Sequence, residues 1–309
     1  MSPTRSQQVV DELNELFGFH DGYRTVHAKG RFLTGEFIAA PAAARLTRAP
    51  HMQGGRIQVT ARFSNGNGNP ALPDFLPDVR GLAVSFHLPA GQRTDIVAAT
   101  LPRFPVRTPA GVLALVRALR PRLTMPLRLT AFLLRHPEFL RSLPANLLAL
   151  RRPPASYASA RYYAIHAYRW MSPYGSERFV RYRWVPEQEK RLGWLRALLR
   201  GRDYLQHDLE ARLRNGPVRM HLQVQVARPG DPVSDPSAAW PEDREIVTVG
   251  TLELRALDGE EEAYVFDPLR ITDGIGPSDD PVLLFRTQAY TVSAERRGAL
   301  HRPQHVKAA

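Results

Sequence analysis

The chain predicts an α+β fold, an antiparallel sheet or barrel with helices added to it. Three observations carry this. Strand-like segments fall into two blocks, one before residue 106 and one after residue 178, with a helical stretch between them. Apolar residues alternate with period two in several segments, and Asn65-Gly66-Asn67-Gly68-Asn69-Pro70 is a strong turn signal between two of them. The steady strand–helix–strand alternation of a doubly wound sheet is missing.

Taken in order, residues 6–17 predict a short amphipathic helix, with Val9, Val10, Leu13, Leu16 and Phe17 on one face. Residues 31–38, 57–64 and 81–88 predict strands; the second alternates clearly and the third is mostly apolar. From 109 to 150 the period becomes helical, and Pro121, Pro126, Pro137 and Pro144 divide the stretch into three or four short helices. The 178–185 run alternates as a strand. Residues 187–214 predict one long charged helix, stopped by Asn215-Gly216-Pro217. Strands follow at 218–226, 245–254 and 262–266, and 281–297 returns to helical spacing.

Composition narrows the function. Hydrophobic residues make up 43% and charged residues 23%, so the chain can bury a core and is not globally disordered. There is no cysteine, which excludes disulfides, thiolate catalysis and cysteine-ligated metals. The first residues carry charge and no apolar run, so no signal peptide is expected. No stretch of about 18 uncharged apolar residues suggests a spanning helix. A cytoplasmic protein is the expectation. The net charge of +12 is concentrated between Arg103 and Arg161, where eleven arginines face one acid, Glu138. These arginines are dispersed among leucines and form no nucleic-acid-binding motif, so no nucleic-acid partner is expected.

Two pairs of residues carry candidate chemistry. His27 could serve as a base near neutral pH if a hydrogen-bonded neighbour fixed its tautomer, and Ser64 on a following strand could be that neighbour. Arg286 lies one helical turn before Tyr290, so its guanidinium can face the phenol oxygen and favour the phenolate. Taken alone, His27 reads more readily as a surface or structural histidine. Arg286 and Tyr290 read equally as a surface arginine beside a half-buried tyrosine.

In combination these segments resemble the haem catalases, and more closely the short catalase-related peroxidases. The similar stretches include Arg24-Thr25-Val26-His27-Ala28-Lys29-Gly30, Ala61-Arg62-Phe63-Ser64, Asp78-Val79-Arg80-Gly81, Asp95-Ile96-Val97 and Phe104. They continue through His221-Leu222-Gln223, Trp240-Pro241, Phe266-Asp267-Pro268 and Gly274-Ile275-Gly276-Pro277 to Arg286 and Tyr290. The resemblance implies a catalase-like antiparallel eight-stranded β-barrel with helical additions, as one haem domain over 1–309. Residues 20–108 and 217–300 would form the barrel and haem pocket, and 109–216 a mostly helical insertion. It implies haem b as cofactor, with Tyr290 as axial ligand to the iron. His27 and Ser64 would be catalytic. Arg24, Val26, Arg62, Phe104, Arg286, Tyr290 and Arg297 would contact the cofactor, with Arg24, Arg62 and Arg297 holding its propionates, Val26 narrowing access and Phe104 on the distal side.

Two departures qualify the resemblance. The family's usual distal asparagine aligns with Ala99, so the amide that donates to peroxide is missing. One positioned donor is typically worth about 10²–10³ in rate. Only twelve residues follow Arg297, which argues against the wrapping segments, the interlocked tetramer and the C-terminal domain of ordinary catalases. The implied activity is a peroxidase reducing hydrogen peroxide or organic peroxides with an unknown electron donor, and with weak or no catalase activity. Alternatives are a fatty-acid hydroperoxide isomerase or dehydratase of the allene-oxide-synthase kind, and a non-catalytic haem-binding or sensing protein. The oligomeric state stays open. For the arginine–leucine helices of 109–150 there are two readings: a layer packing its leucines on the barrel, or a patch making weak contact with a membrane surface.

Overall fold

The computed structural model describes residues 3–259, 264–296 and 298. Its helices are α1 (Arg5–Phe17), α2 (Ala43–Leu46), α3 (Pro109–Leu119), α4 (Met125–Arg135), α5 (Pro137–Leu150), α6 (Trp194–Leu199), α7 (Tyr204–Asn215) and α8 (Pro281–Arg296). Its strands are β1 (Gly30–Ala39), β2 (Arg56–Asn65), β3 (Arg80–His87), β4 (Arg93–Ala99), β5 (Tyr162–Met171), β6 (Glu177–Pro186), β7 (Val218–Val226), β8 (Ile246–Asp258) and β9 (Ile275–Pro277).

Eight strands pair antiparallel in the order β4-β3-β2-β1-β8-β7-β6-β5, and the bridge Ala99↔Tyr163 joins β4 to β5 and closes the barrel. The other half of β5 takes up β9 through Tyr168, Arg169 and Trp170. Closure leaves few exposed ladder groups. The interior is filled by Phe37, Phe63, Phe86, Trp184 and Tyr162 with leucines and valines from most strands and Ile96 and Ala98 from β4.

Strand burial shows where the helices lie. Along β7 every second residue is buried, as expected of a sheet packed on one face and wet on the other. From Val59 to Asn65 β2 is buried without interruption, and β3 nearly so. There the outer face is covered too, and α1, α8 and segment 265–266 contribute to the cover. Thr4 and Gln7 form a reciprocal capping box at the start of α1, and Val9 and Val10 turn inward.

Several expectations need correction. The long helix expected over 187–214 is two, α6 and α7, because Gly193 starts the first and Gly201, at φ +92°, interrupts the run. The 264–266 part of the strand expected at 262–266 is not a strand, and residues 262 and 263 lie outside the described residues. The barrel also uses 162–186, inside the stretch expected to be mostly helical. Strand β5 escaped notice because its burial scarcely alternates and its pairing with β6 shifts register between Ala164 and Ala167. In 109–150 the helices number three, with Pro144 inside α5. Val106, Ala118 and Phe132 form a small core there, while Leu123, Leu127, Leu134, Leu140, Leu147 and Leu148 stay exposed. Among the described residues no helix is long and apolar enough to cross a membrane.

Candidate active site

A cavity lies between the outer face of β2–β4 and helices α1 and α8. Strand register decides what faces it. Ser64 pairs with Gly81 and Gly81 with Ala99; Arg62 pairs with Ala83 and Ala83 with Val97. Directly opposed residues of antiparallel strands share a face. Arg62, Ser64, Gly81, Ala83 and Val97 line the cavity, with Phe63 turned into the barrel core. From outside, Val10 and Leu13 of α1, Phe266, and Ala289, Tyr290 and Ser293 of α8 complete the wall.

Arg24, Val26, His27, Arg62, Ser64 and Tyr290 therefore meet at one cavity, although His27 and Tyr290 stand near opposite ends of the chain. His27 occupies the turn before β1 at φ +58°, in the left-handed region. Its Nδ1 lies 3.0 Å from Ser64 Oγ. Its backbone N–H donates to the Gly66 carbonyl, and that of Ala28 to Asn67, so the asparagine–glycine loop holds the turn from behind. Burial, reinforced by the charges of Arg62, Arg286, Arg24 and Arg80, lowers its pKa to about 3. The imidazole is neutral at physiological pH, as a base must be.

No side chain at position 81 fits beside this pair. A Cβ on Gly81 would stand 2.7 Å from Ser64 Oγ and 2.8 Å from His27 Cε1 and Nδ1. Lys29, two residues on, anchors the turn from below. Its Nζ donates to Asp74 Oδ1 at 2.7 Å and Asp203 Oδ1 at 2.5 Å, and Asp74 also accepts from Asn65 Nδ2 and the Leu205 N–H.

Opposite, Arg286 donates a short hydrogen bond to the Tyr290 oxygen. Burial opposes charge on Arg286, but the oxygens of Tyr290, Tyr168 and Asp280 together outweigh it and the pKa is raised. Arg286 is held further by a pair the sequence reading missed. Asp280 is fully buried, caps α8 through the Val282 and Leu283 N–H groups, and contacts His166 Nδ1 at 2.6 Å. Its charge helps to hold up the pKa of Arg286. Burial lowers the His166 pKa to about 4 against that hydrogen bond. Asp280-Pro281 was a visible helix-start signal, but His166 sits on the strand that went unnoticed.

At another edge Arg24 and Arg62 both approach the Phe32 ring, with guanidinium carbons 5.7 and 5.5 Å from its centre. Arg24 Nη2 donates to the Tyr264 carbonyl at 2.7 Å and Arg62 Nη2 to the Ala28 carbonyl at 3.1 Å. Two cations are thus set side by side at the cavity rim. The 265–270 segment is pinned to β4 by Asp95, which accepts from the Asp267 N–H and from Arg270.

One expected cofactor contact is placed elsewhere. Phe104 does not line the cavity: its N–H is tied to the Pro236 carbonyl and its ring lies 6.2 Å from that of His166, against the small core of α3–α5. The prolines on either side of it turn the chain away from β4. Arg297 lies outside the described residues. Ala99 shares its face with Gly81, and Thr100 next to it accepts from the Arg80 N–H and does not line the cavity.

A family model described as Catalase matches residues 20–304. The chain is 46% identical over 300 residues to a catalase-related peroxidase of Mycolicibacterium paratuberculosis, covering 96% of this chain and 95% of that protein. It is 35% identical over 299 residues to a catalase-related peroxidase of Synechococcus elongatus, covering 94% and 88%. Against a catalase of Vibrio parahaemolyticus it is 31% identical over 294 residues, covering 86% of this chain and 56% of that one.

Proposed function

The chain belongs to the catalase family, and from that premise we propose that it is a haem-dependent peroxidase, reducing hydrogen peroxide or organic peroxides at the expense of an external electron donor. The observation that carries this is the placing of a neutral, hydrogen-bonded His27 and an arginine-bound Tyr290 on one cavity. The donor set suits haem b: apolar walls for a macrocycle, two rim arginines for its carboxylates and one phenol for its iron. Among the described residues no cluster of three or more histidine or acidic side chains could hold a metal, which suits an iron that brings most of its ligands with it.

In this reading Tyr290 would hold the iron as phenolate, and Arg286 would favour that anion by charge and hydrogen bond. Arg24 and Arg62 would hold the propionates, and Val26 would narrow the approach. Haem, when bound, supplies the two-electron redox chemistry. His27 supplies the proton transfer: with Nδ1 engaged by Ser64, Nε2 takes the peroxide proton and returns it to the departing oxygen. Two electrons from the donor and two protons then leave water and an alcohol, or two waters. Alanine at 99 leaves one distal donor fewer, which favours donor-dependent reduction over dismutation. The near-full-length relatives named as peroxidases favour this reading over a hydroperoxide isomerase or a sensor. A cytoplasmic site of action fits the absence of cysteine.

The test is optical. Protein reconstituted with haemin should show a Soret band, lost or strongly shifted in Tyr290→Phe, and should consume peroxide only with a reductant present. A protein that takes up no haemin, or a His27→Ala variant that consumes peroxide at the wild-type rate, would overturn the reading.

A further inference from the structure

We propose that the outward face of α4, α5 and α6 docks on an anionic lipid bilayer. On α4, Leu127 and Leu134 are 75% and 80% exposed and stand seven residues apart, two turns along one stripe. Leu123, in the turn just before the helix, is fully exposed. On α5, Leu140 and Leu147 repeat the seven-residue spacing, with Leu148 beside them. On α6, Trp194, Leu195, Leu198 and Leu199 are all exposed. The last two elements are joined: Arg191 donates to the Ala149 and Arg152 carbonyls, and Trp194 shares a groove with Leu150 and Arg152. Apolar surface on this scale marks an interaction site.

Charge selects the partner. Arg122, Arg135, Arg141, Arg151, Arg152 and Arg196 are exposed among these leucines, and none forms an ion pair with a described acid. The one acid of α3–α5, Glu138, is buried, and the acids around these helices are tied to other arginines: Glu12 to Arg117 and Arg120, Glu189 to Arg161 and Arg191, and Asp208 to Arg200. A second copy bound through the same face would set cations against cations. Nucleic acid would leave the leucine stripes in water, because single-strand binders use aromatic rings for stacking and this face offers Trp194 alone. An anionic bilayer satisfies both features: arginines on headgroups, leucines at the acyl boundary and a tryptophan at the interface. The surface lies outside the cavity, so the proposal stands apart from the peroxidase reading.

The experiment is flotation of the full chain with vesicles of equimolar phosphatidylglycerol and phosphatidylcholine, or of phosphatidylcholine alone. Binding to the anionic vesicles is expected, at least tenfold weaker on the neutral ones and in high salt. The triple change Leu123→Ser, Leu127→Ser, Leu134→Ser should lower partitioning at least tenfold with an unchanged melting temperature. Each of Arg122→Gln, Arg135→Gln and Arg196→Gln should lower it about fivefold on anionic vesicles. The proposal is overturned by absence of flotation, by equal binding to neutral vesicles, or by variants that float like wild type. It is equally overturned if the leucine changes instead abolish a concentration-dependent dimer, or if duplex DNA binds this face and displaces the vesicles.

Discussion

Gly81→Ala tests the base end of the cavity with a single methyl group. Its Cβ would lie 2.7 Å from Ser64 Oγ and 2.8 Å from His27 Nδ1 and Cε1, where carbon contacts settle near 3.5–4.0 Å. Ring and hydroxyl must therefore retreat by roughly 0.7–1 Å. The backbone of His27 has little room to follow, since its φ of +58° is held by the Gly66 and Asn67 carbonyls. A misplacement of about 1 Å at a reacting group costs about 10²-fold, and overpacking costs about 1–3 kcal/mol. The expected result is a fall of about 10²-fold in kcat/KM for peroxide, a melting temperature lower by a few degrees, and an unchanged haem content, because Tyr290 and Arg286 are untouched. Gly54→Ala is the control: at φ +95° with nothing within 4 Å of its Cβ, it strains the backbone and leaves activity alone. A Gly81→Ala enzyme within twofold of wild type, at an unchanged melting temperature, would refute the placing of His27 as the working base.

Three further outcomes follow from the same packing. His51, fully buried with its pKa lowered to about 3 by burial, stays neutral in the fold while the unfolded chain takes a proton below about pH 6.5. Its stabilising contribution is complete above pH 6.5 and is lost as pH falls toward 3, at up to about 1.4 kcal/mol per pH unit. His51→Leu should flatten the acid limb of a denaturant-midpoint curve, and an identical limb would refute this. Ala99→Asn should restore a donor on the face of Gly81 and raise peroxide turnover, by up to about 10²–10³-fold; a haem-loaded variant as slow as wild type would show that position 99 does not meet the peroxide. Lys29→Met leaves Asp74 buried without its main cation and should cost about 3–5 kcal/mol in urea unfolding, with part recovered by adding Asp74→Asn; a loss under about 1 kcal/mol would show the pair contributes little.

The legible parts of this protein are those that depend on neighbours in sequence. Strands β1, β2, β3, β6, β7 and β8 follow from alternation and turn residues, and α1, α3, α4 and α5 from helical period and proline. The unread parts have local causes as well. Strand β5 has covered residues on both faces and a shifted register, so it shows no period of two. The 187–214 helix was over-extended because its charged residues suit a helix anywhere, and the break rests on one glycine with positive φ. Phe104 was misplaced because its position depends on a backbone hydrogen bond to Pro236, far along the chain.

The sequence alone determined the α+β character and the absence of thiol chemistry, and it put Arg286 within reach of Tyr290, because residues four apart on a helix share a face. Tertiary structure decided which distant groups share a cavity. It set His27 across from Tyr290, brought Asp280 of the α8 cap against His166 of β5, aligned Ala99 with Gly81, and left the leucines of α4 and α5 outside. Those placements depend on closure of the barrel between Ala99 and Tyr163 and on strand register, and a contact between residues far apart in the chain leaves no periodic trace in the order of its amino acids.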